Sequence, residues 1–220
     1  MAKIKAVIVD FDDTLCMSEA DCFALENETL RRMGRDAQSR DIHKKTWGNY
    51  SLEESMELRS PGIDLAEFWR TFPVVHTEFV EKGLIDVVTE SSMQVLHQLK
   101  DMSLQVMVLT SRSEIESRHL LLPTHKISSV IDAFYHKDNT QWHKPDPRVF
   151  SHIEYEHGFK PNECVYVGDT VGDAAAAKGA DLHFIASLES GLRSKSDFID
   201  YAVDAFIETF TELPSVIAEL

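Results

Sequence analysis

Ala6-Val7-Ile8-Val9-Asp10-Phe11-Asp12-Asp13-Thr14-Leu15 runs from four small or branched apolar residues straight into a group of carboxylates. Four such residues bounded by polar ones predict a short strand buried on both faces, with Asp10 and Asp12 projecting from its C-terminal end. Open α/β sheets bind their ligands at that end of their strands. Desolvating two acids there is costly, and capping the next element needs only one of them, so the pair points to a cation or a reacting phosphate. In an extended chain Asp12 falls on the same side as Asp10, and Asp13 is expected to point away.

Three later stretches end on polar chemistry in the same manner. Leu104-Gln-Val-Met-Val-Leu-Thr110 predicts a second apolar strand closing on a hydroxyl, Lys144-Pro145 stands ahead of a helix, and Val165-Tyr166-Val167-Gly168-Asp169-Thr170-Val171-Gly172-Asp173 ends a third strand on acids. Taken in order with the first stretch, they resemble the four motifs of the haloacid dehalogenase-like (HAD) hydrolase superfamily: Asp-x-Asp-x-Thr, a strand-ending Thr or Ser, a Lys, and Gly-Asp-x-x-x-Asp. The resemblance takes in nearly the whole chain. It implies an α/β fold, a doubly wound parallel sheet in a Rossmann-like core, with the Asp10 strand between those of Thr110 and Asp169. The core would comprise residues 1–15 and 85–220. Residues 16–84 would form an inserted all-helical cap of the C1 type, as in phosphoglycolate phosphatase-like members.

The chemistry that follows is phosphoryl transfer. Asp10 becomes the candidate nucleophile, since a metal-held carboxylate can attack phosphorus to give an aspartyl-phosphate, and Asp12 the candidate acid and base for the leaving oxygen and the hydrolytic water. Thr110, the backbone N–H of Ser111 and Lys144 would hold the phosphate. Mg²⁺ suits a shell of Asp10, Asp169 and the backbone carbonyl of Asp12, with Asp173 one helical turn on supporting it through water. Two positions depart from the family pattern: Asp13 stands where Gly is frequent, and Ser111 where Asn is frequent. The leading expectation is a magnesium-dependent phosphatase for a small phosphorylated metabolite. A phosphomutase of the same fold, and a low-turnover phosphometabolite-binding or regulatory protein, are the alternatives. A dehalogenase would have no use for an acid at Asp12.

Composition agrees with this class. The 220 residues carry 22 Lys and Arg against 37 Asp and Glu, a net charge of −15. Such a surface argues against nucleic-acid partners, and an anionic substrate must be met by local positive charge. Three cysteines, Cys16, Cys22 and Cys164, form no Cys-x-x-Cys pair and suggest a reducing compartment. The early acids interrupt any secretory hydrophobic run and no stretch approaches membrane-spanning length, so no membrane partner is expected and the reading is cytoplasmic. Oligomeric state is left open.

Between residues 18 and 83 the pattern turns helical, with Phe23, Leu30 and Met33 at helical spacing and Gly34 as a stop. Ser51–Glu54 and Asp64–Glu67 predict helix starts on either side of a Pro61-Gly62 turn. Trp47, Tyr50 and Trp69 are expected in packing roles, and His43-Lys44-Lys45 on a solvated face. Beyond this segment, Ser91–Gln94 and Ser113–Glu116 predict further helix starts. Asp146 with Pro147 predicts another, running to about Gly158. Further strands are expected over Ala133–His136, Cys164–Val167, Leu182–Ala186 and Tyr201–Val203, and a last helix over Thr211–Leu220.

Overall fold

A computed structural model describes residues 3–220. Strand β1 (Ala6–Val9) leads into four helices, α1 (Glu19–Arg32), α2 (Arg40–Thr46), α3 (Leu52–Arg59) and α4 (Leu65–Glu81). Then follow α5 (Glu90–Asp101), β2 (Gln105–Leu109), α6 (Glu114–Ser117), β3 (Ala133–Tyr135) and α7 (Val149–His157). The chain closes with β4 (Cys164–Gly168), α8 (Val171–Gly179), β5 (His183–Ser187), β6 (Ala205–Ile207) and α9 (Leu213–Glu219). Two compact units result, one holding the chain up to Cys16 together with Val88–Leu220, the other Met17–Val87. No helix among the described residues is long and apolar enough to cross a membrane.

The first unit is a doubly wound sheet. Its six strands are parallel in the order β3-β2-β1-β4-β5-β6, so the chain winds outward from β1 to one edge and returns to start again at β4. The switch point of such a sheet lies between β1 and β4, where a crevice opens at the strands' C-terminal ends. Both faces are buried, which is why the strands read as unbroken apolar runs. Val7, Val9, Val106, Val108, Val165 and Val167 pack with Val95, Leu96 and Leu99 of α5 and Leu213 and Ile217 of α9. On the other face Ala6, Ile8, Met107, Leu109, Tyr166 and Phe184 meet Val149, Phe150 and Ile153 of α7 and the alanines of α8.

The second unit is all helical, with its own core of Leu25, Leu30, Met56, Phe68, Phe72 and Val75. Ser51 and Glu54 form a reciprocal capping box, and Asp64 accepts the N–H groups of Ala66 and Glu67. Trp69 packs edge-on to Phe68 and Phe72, while Tyr50 is exposed. The expectation of a solvated basic face holds for Lys44 and Lys45 but not for His43. His43 is fully buried, its Nδ1 2.7 Å from Glu19, its ring stacked on Trp47. One turn of helix can present residues to opposite sides, which a three-residue reading hides.

Several element ends differ from the sequence reading. Thr89, not Ser91, caps α5 by accepting the Ser92 N–H. The Asp146-Pro147 segment is wound with i→i+3 bonds, Asp146 accepts the Arg148 N–H, and regular α7 begins only at Val149. Tyr201–Val203 is a tight turn, closed by the Val203 N–H on the Tyr201 carbonyl, and pairing with β5 starts where Asp204 N–H reaches Phe184. The final helix is shorter than expected because Phe210–Glu212 is a 3₁₀ turn.

Candidate active site

Register aligns the chemistry of the central strands. Val9 lies opposite Val108 on one side and Val167 on the other. Thr110 and Asp169 therefore leave the sheet one residue beyond the level of Asp10.

After Asp10 the chain does not continue extended, which corrects the backbone conformation expected for Asp12 and Asp13. The N–H groups of Leu15 and Cys16 both turn back to the Phe11 carbonyl, and the Asp13 N–H donates to the Cys16 carbonyl at 2.7 Å. Asp13 sits in the left-handed region, φ 52°, and is buried. That conformation suits Gly and tolerates Asp, which accounts for Gly being frequent here in the resembled family. Asp12 is held by a residue that the sequence reading missed. Arg112 clamps its carboxylate with two parallel bonds, Nε to Oδ2 at 2.9 Å and Nη2 to Oδ1 at 2.6 Å, and lies 4.8 Å over the Phe11 ring. The one available signal was a cation two residues past the strand-ending Thr110.

Asp10 is anchored through Oδ1, which accepts the Phe11 N–H at 2.8 Å and lies 3.0 Å from the Lys144 ammonium. The same ammonium is 2.7 Å from Asp173 Oδ1 and donates to the Tyr166 hydroxyl at 2.9 Å. Asp173 Oδ2 accepts both the N–H and the hydroxyl of Thr170, so this acid also closes the capping box of α8. Thr110 is buried, and its hydroxyl accepts the Arg112 N–H. Ser111 is exposed in the following loop. Sequence reasoning thus placed Asp10, Lys144, Asp169 and Asp173 in what is one cluster, and left out Arg112 and Tyr166.

The carboxylates burden one another. Burial pushes the Asp10 carboxyl up to about 8 against the pull of Lys144, with Asp173 and Asp12 adding to the rise. Asp169 is raised well above the usual range by burial and by the charges of Asp173, Asp10 and Asp13. Burial works the same way on Asp173, but Lys144 and Thr170 outweigh it and hold that carboxyl below its ordinary value. One oxygen from each of Asp10, Asp169 and Asp173 falls within 4.8 Å of the others. An all-oxygen, anionic donor set of this kind fits a hard divalent cation. Asp173 receives four donors, filling the lone pairs of a carboxylate. Asp10 and Asp169 are the members of the trio with lone pairs to spare for a cation.

The switch point of the α/β sheet thus gathers strand-end carboxylates around one ammonium. The chain belongs to the haloacid dehalogenase-like hydrolase family, whose model matches residues 7–187. It is similar to the phosphoglycolate phosphatase of Xylella fastidiosa (strain Temecula1), 27% identical over 202 residues that cover 88% of this chain and 83% of that one. The phosphoglycolate phosphatase of Nitrosospira multiformis is 23% identical over 97% of this chain and 96% of its own. In fold it is similar to the structure of CbbY from Rhodobacter sphaeroides in complex with phosphate, TM-score 0.79 at 21% identity, covering 96% of each chain. The protein is an enzyme, a phosphatase-type hydrolase.

Proposed function

We propose that the protein is a magnesium-dependent phosphatase that hydrolyses a small phosphate monoester through an aspartyl-phosphate on Asp10. The observation that carries this reading is a buried nucleophile candidate, Asp10, held through one oxygen by the Phe11 N–H and Lys144 while it shares a cluster with Asp169 and Asp173. In the first half of the reaction Asp10 attacks phosphorus and the P–O bond to the leaving group breaks, with Asp12 giving its proton to the departing oxygen. In the second half water attacks phosphorus, Asp12 takes the water's proton, and Asp10 returns as a carboxylate. Thr110, the Ser111 N–H and Lys144 hold the phosphoryl oxygens, and Arg112 fixes the orientation of Asp12. Asp10, Asp169 and the Asp12 carbonyl would hold Mg²⁺, with Asp173 supporting from behind; the bound cation neutralises charge on the transferred group.

The unit Met17–Val87 takes the part of the cap, on the strength of its insertion after β1 and its separate core. The curated relatives act on phosphoglycolate by name, so a small phosphorylated acid of that kind is the first substrate to assay. The three free cysteines, two of them buried, support a cytoplasmic setting. Hydrolysis of p-nitrophenyl phosphate, abolished by chelator, restored by Mg²⁺ and lost in Asp10→Asn, is the expected result. Turnover that survives Asp10→Asn would overturn the reading.

A further inference from the structure

Tyr166 is the largest fully buried side chain among the described residues. It stands in central strand β4, its ring edge-on to Phe150 at 5.0 Å and tilted against Phe184 at 6.3 Å. Packing of this kind asks only for the ring, and a buried hydroxyl is a burden unless it is hydrogen-bonded. Here it is bonded on both sides. The hydroxyl accepts from Lys144 Nζ at 2.9 Å and donates to Asp173 Oδ1 at 3.0 Å, with the Leu109 carbonyl at 3.4 Å as a second acceptor. Because Lys144 also reaches Asp173 Oδ1 at 2.7 Å, the three groups close a ring of hydrogen bonds.

A lysine ammonium has three protons on a flexible stem and no built-in direction. The three protons of Lys144 meet Asp10, Asp173 and Tyr166. Two of these partners are carboxyl groups, which draw on the charge a phosphate would need when they are ionised. The third is neutral, so it orients the ammonium without spending its charge. A phenol carries its proton at neutral pH, so the hydroxyl is available as a donor to Asp173 while it accepts from Lys144.

We propose that Tyr166 is a positioning residue, whose hydroxyl aims Lys144 at the phosphoryl group and keeps Asp173 in place behind the cation. The inference rests on the phosphatase reading of the same site. Tyr166→Phe tests it, since the ring and its packing remain. The expected loss in kcat/KM is about tenfold to a hundredfold, the range for a hydrogen bond to charged groups. It should be the same for p-nitrophenyl phosphate as for an alkyl phosphate, because Tyr166 acts on the phosphate side and not on the leaving group. Inhibition by inorganic phosphate should weaken in parallel, with the variant still folded at the assay temperature. An unchanged phosphate inhibition constant, or a loss that only accompanies unfolding at the assay temperature, would overturn the role. If the wild type hydrolyses no phosphate ester, the proposed function fails by itself. Calorimetric binding of inorganic phosphate with Mg²⁺ to both proteins then decides Tyr166: weaker binding to the variant upholds it, equal binding overturns it.

Discussion

Asp12 has both carboxylate oxygens on the guanidinium of Arg112, a residue exactly one hundred positions further along the chain. A bidentate clamp of this kind fixes a plane as well as a place. Asp12→Asn removes the proposed proton donor and should lower turnover of an alkyl phosphate by about 10²- to 10⁴-fold. The loss should be smaller for p-nitrophenyl phosphate, whose leaving group needs little help. Arg112→Lys keeps the charge and loses the fork, so it should show the same dependence on leaving group with a smaller total loss. Equal losses for both substrates would contradict the acid role of Asp12. The sequence showed the acids but not the clamp, since a pairing across such a separation is tertiary and leaves no local pattern. The turn at Asp13 was missed for a different reason. Period-2 reasoning assumes that the chain stays extended past the strand's end at Val9, whereas Leu15 and Cys16 turn back onto the Phe11 carbonyl, a bond pattern the acids between them do not announce.

Elements buried on both faces were the most legible. β1, β2, β4 and β5 are apolar runs with polar ends, and each lies within a residue or two of its expected span. β6 is a short edge strand of three residues, and the nearby Tyr201-Ala-Val203 gave an equally apolar pattern that a turn occupies instead. Helix starts were displaced where several hydroxyls or acids competed for the cap, as with Thr89 and Ser91. The junction of β4 with α8 has the tightest tolerance in the site. A Cβ on Gly168 would lie 2.6 Å from the Asp173 Cγ, so the close approach of strand and helix depends on the missing side chain. Gly168→Ala must push Asp173 away from Thr170 and Lys144. A destabilisation of about 1–3 kcal/mol, the usual cost of overpacking, is expected in denaturant unfolding, together with a loss of activity. A variant with wild-type stability and activity would show that Asp173 can shift without consequence.

At the scale of the whole molecule, each unit closes its own hydrophobic core. Replacing Met17–Val87 by a short flexible linker should therefore leave a cooperatively folding sheet unit that discriminates poorly among substrates. A deletion protein without a cooperative melt would show that the helical unit supports the main core. The carboxylate cluster couples stability to pH, and to metal if it holds the proposed cation. Asp10 in the folded protein holds its proton to about pH 8, whereas in the unfolded chain it ionises near 3.8. The folded state binds more protons between these values, so without metal this group's contribution to stability is present below the lower value and is lost as pH rises towards the upper one. A cation needs the carboxylate and displaces that proton. Stabilisation by Mg²⁺ in thermal melts should accordingly grow with pH up to about 8 and then level off; a pH-independent effect would contradict the cluster as the binding site. Asp10 is the residue proposed to carry the phosphoryl group. Rapid acid quench of the enzyme during turnover of a phosphate monoester, followed by peptide mass spectrometry, tests it directly. The expected result is one added phosphoryl group on the peptide containing Asp10, absent in Asp10→Asn; full turnover with no phosphoryl-enzyme at any quench time, or with the label on another residue, would contradict it.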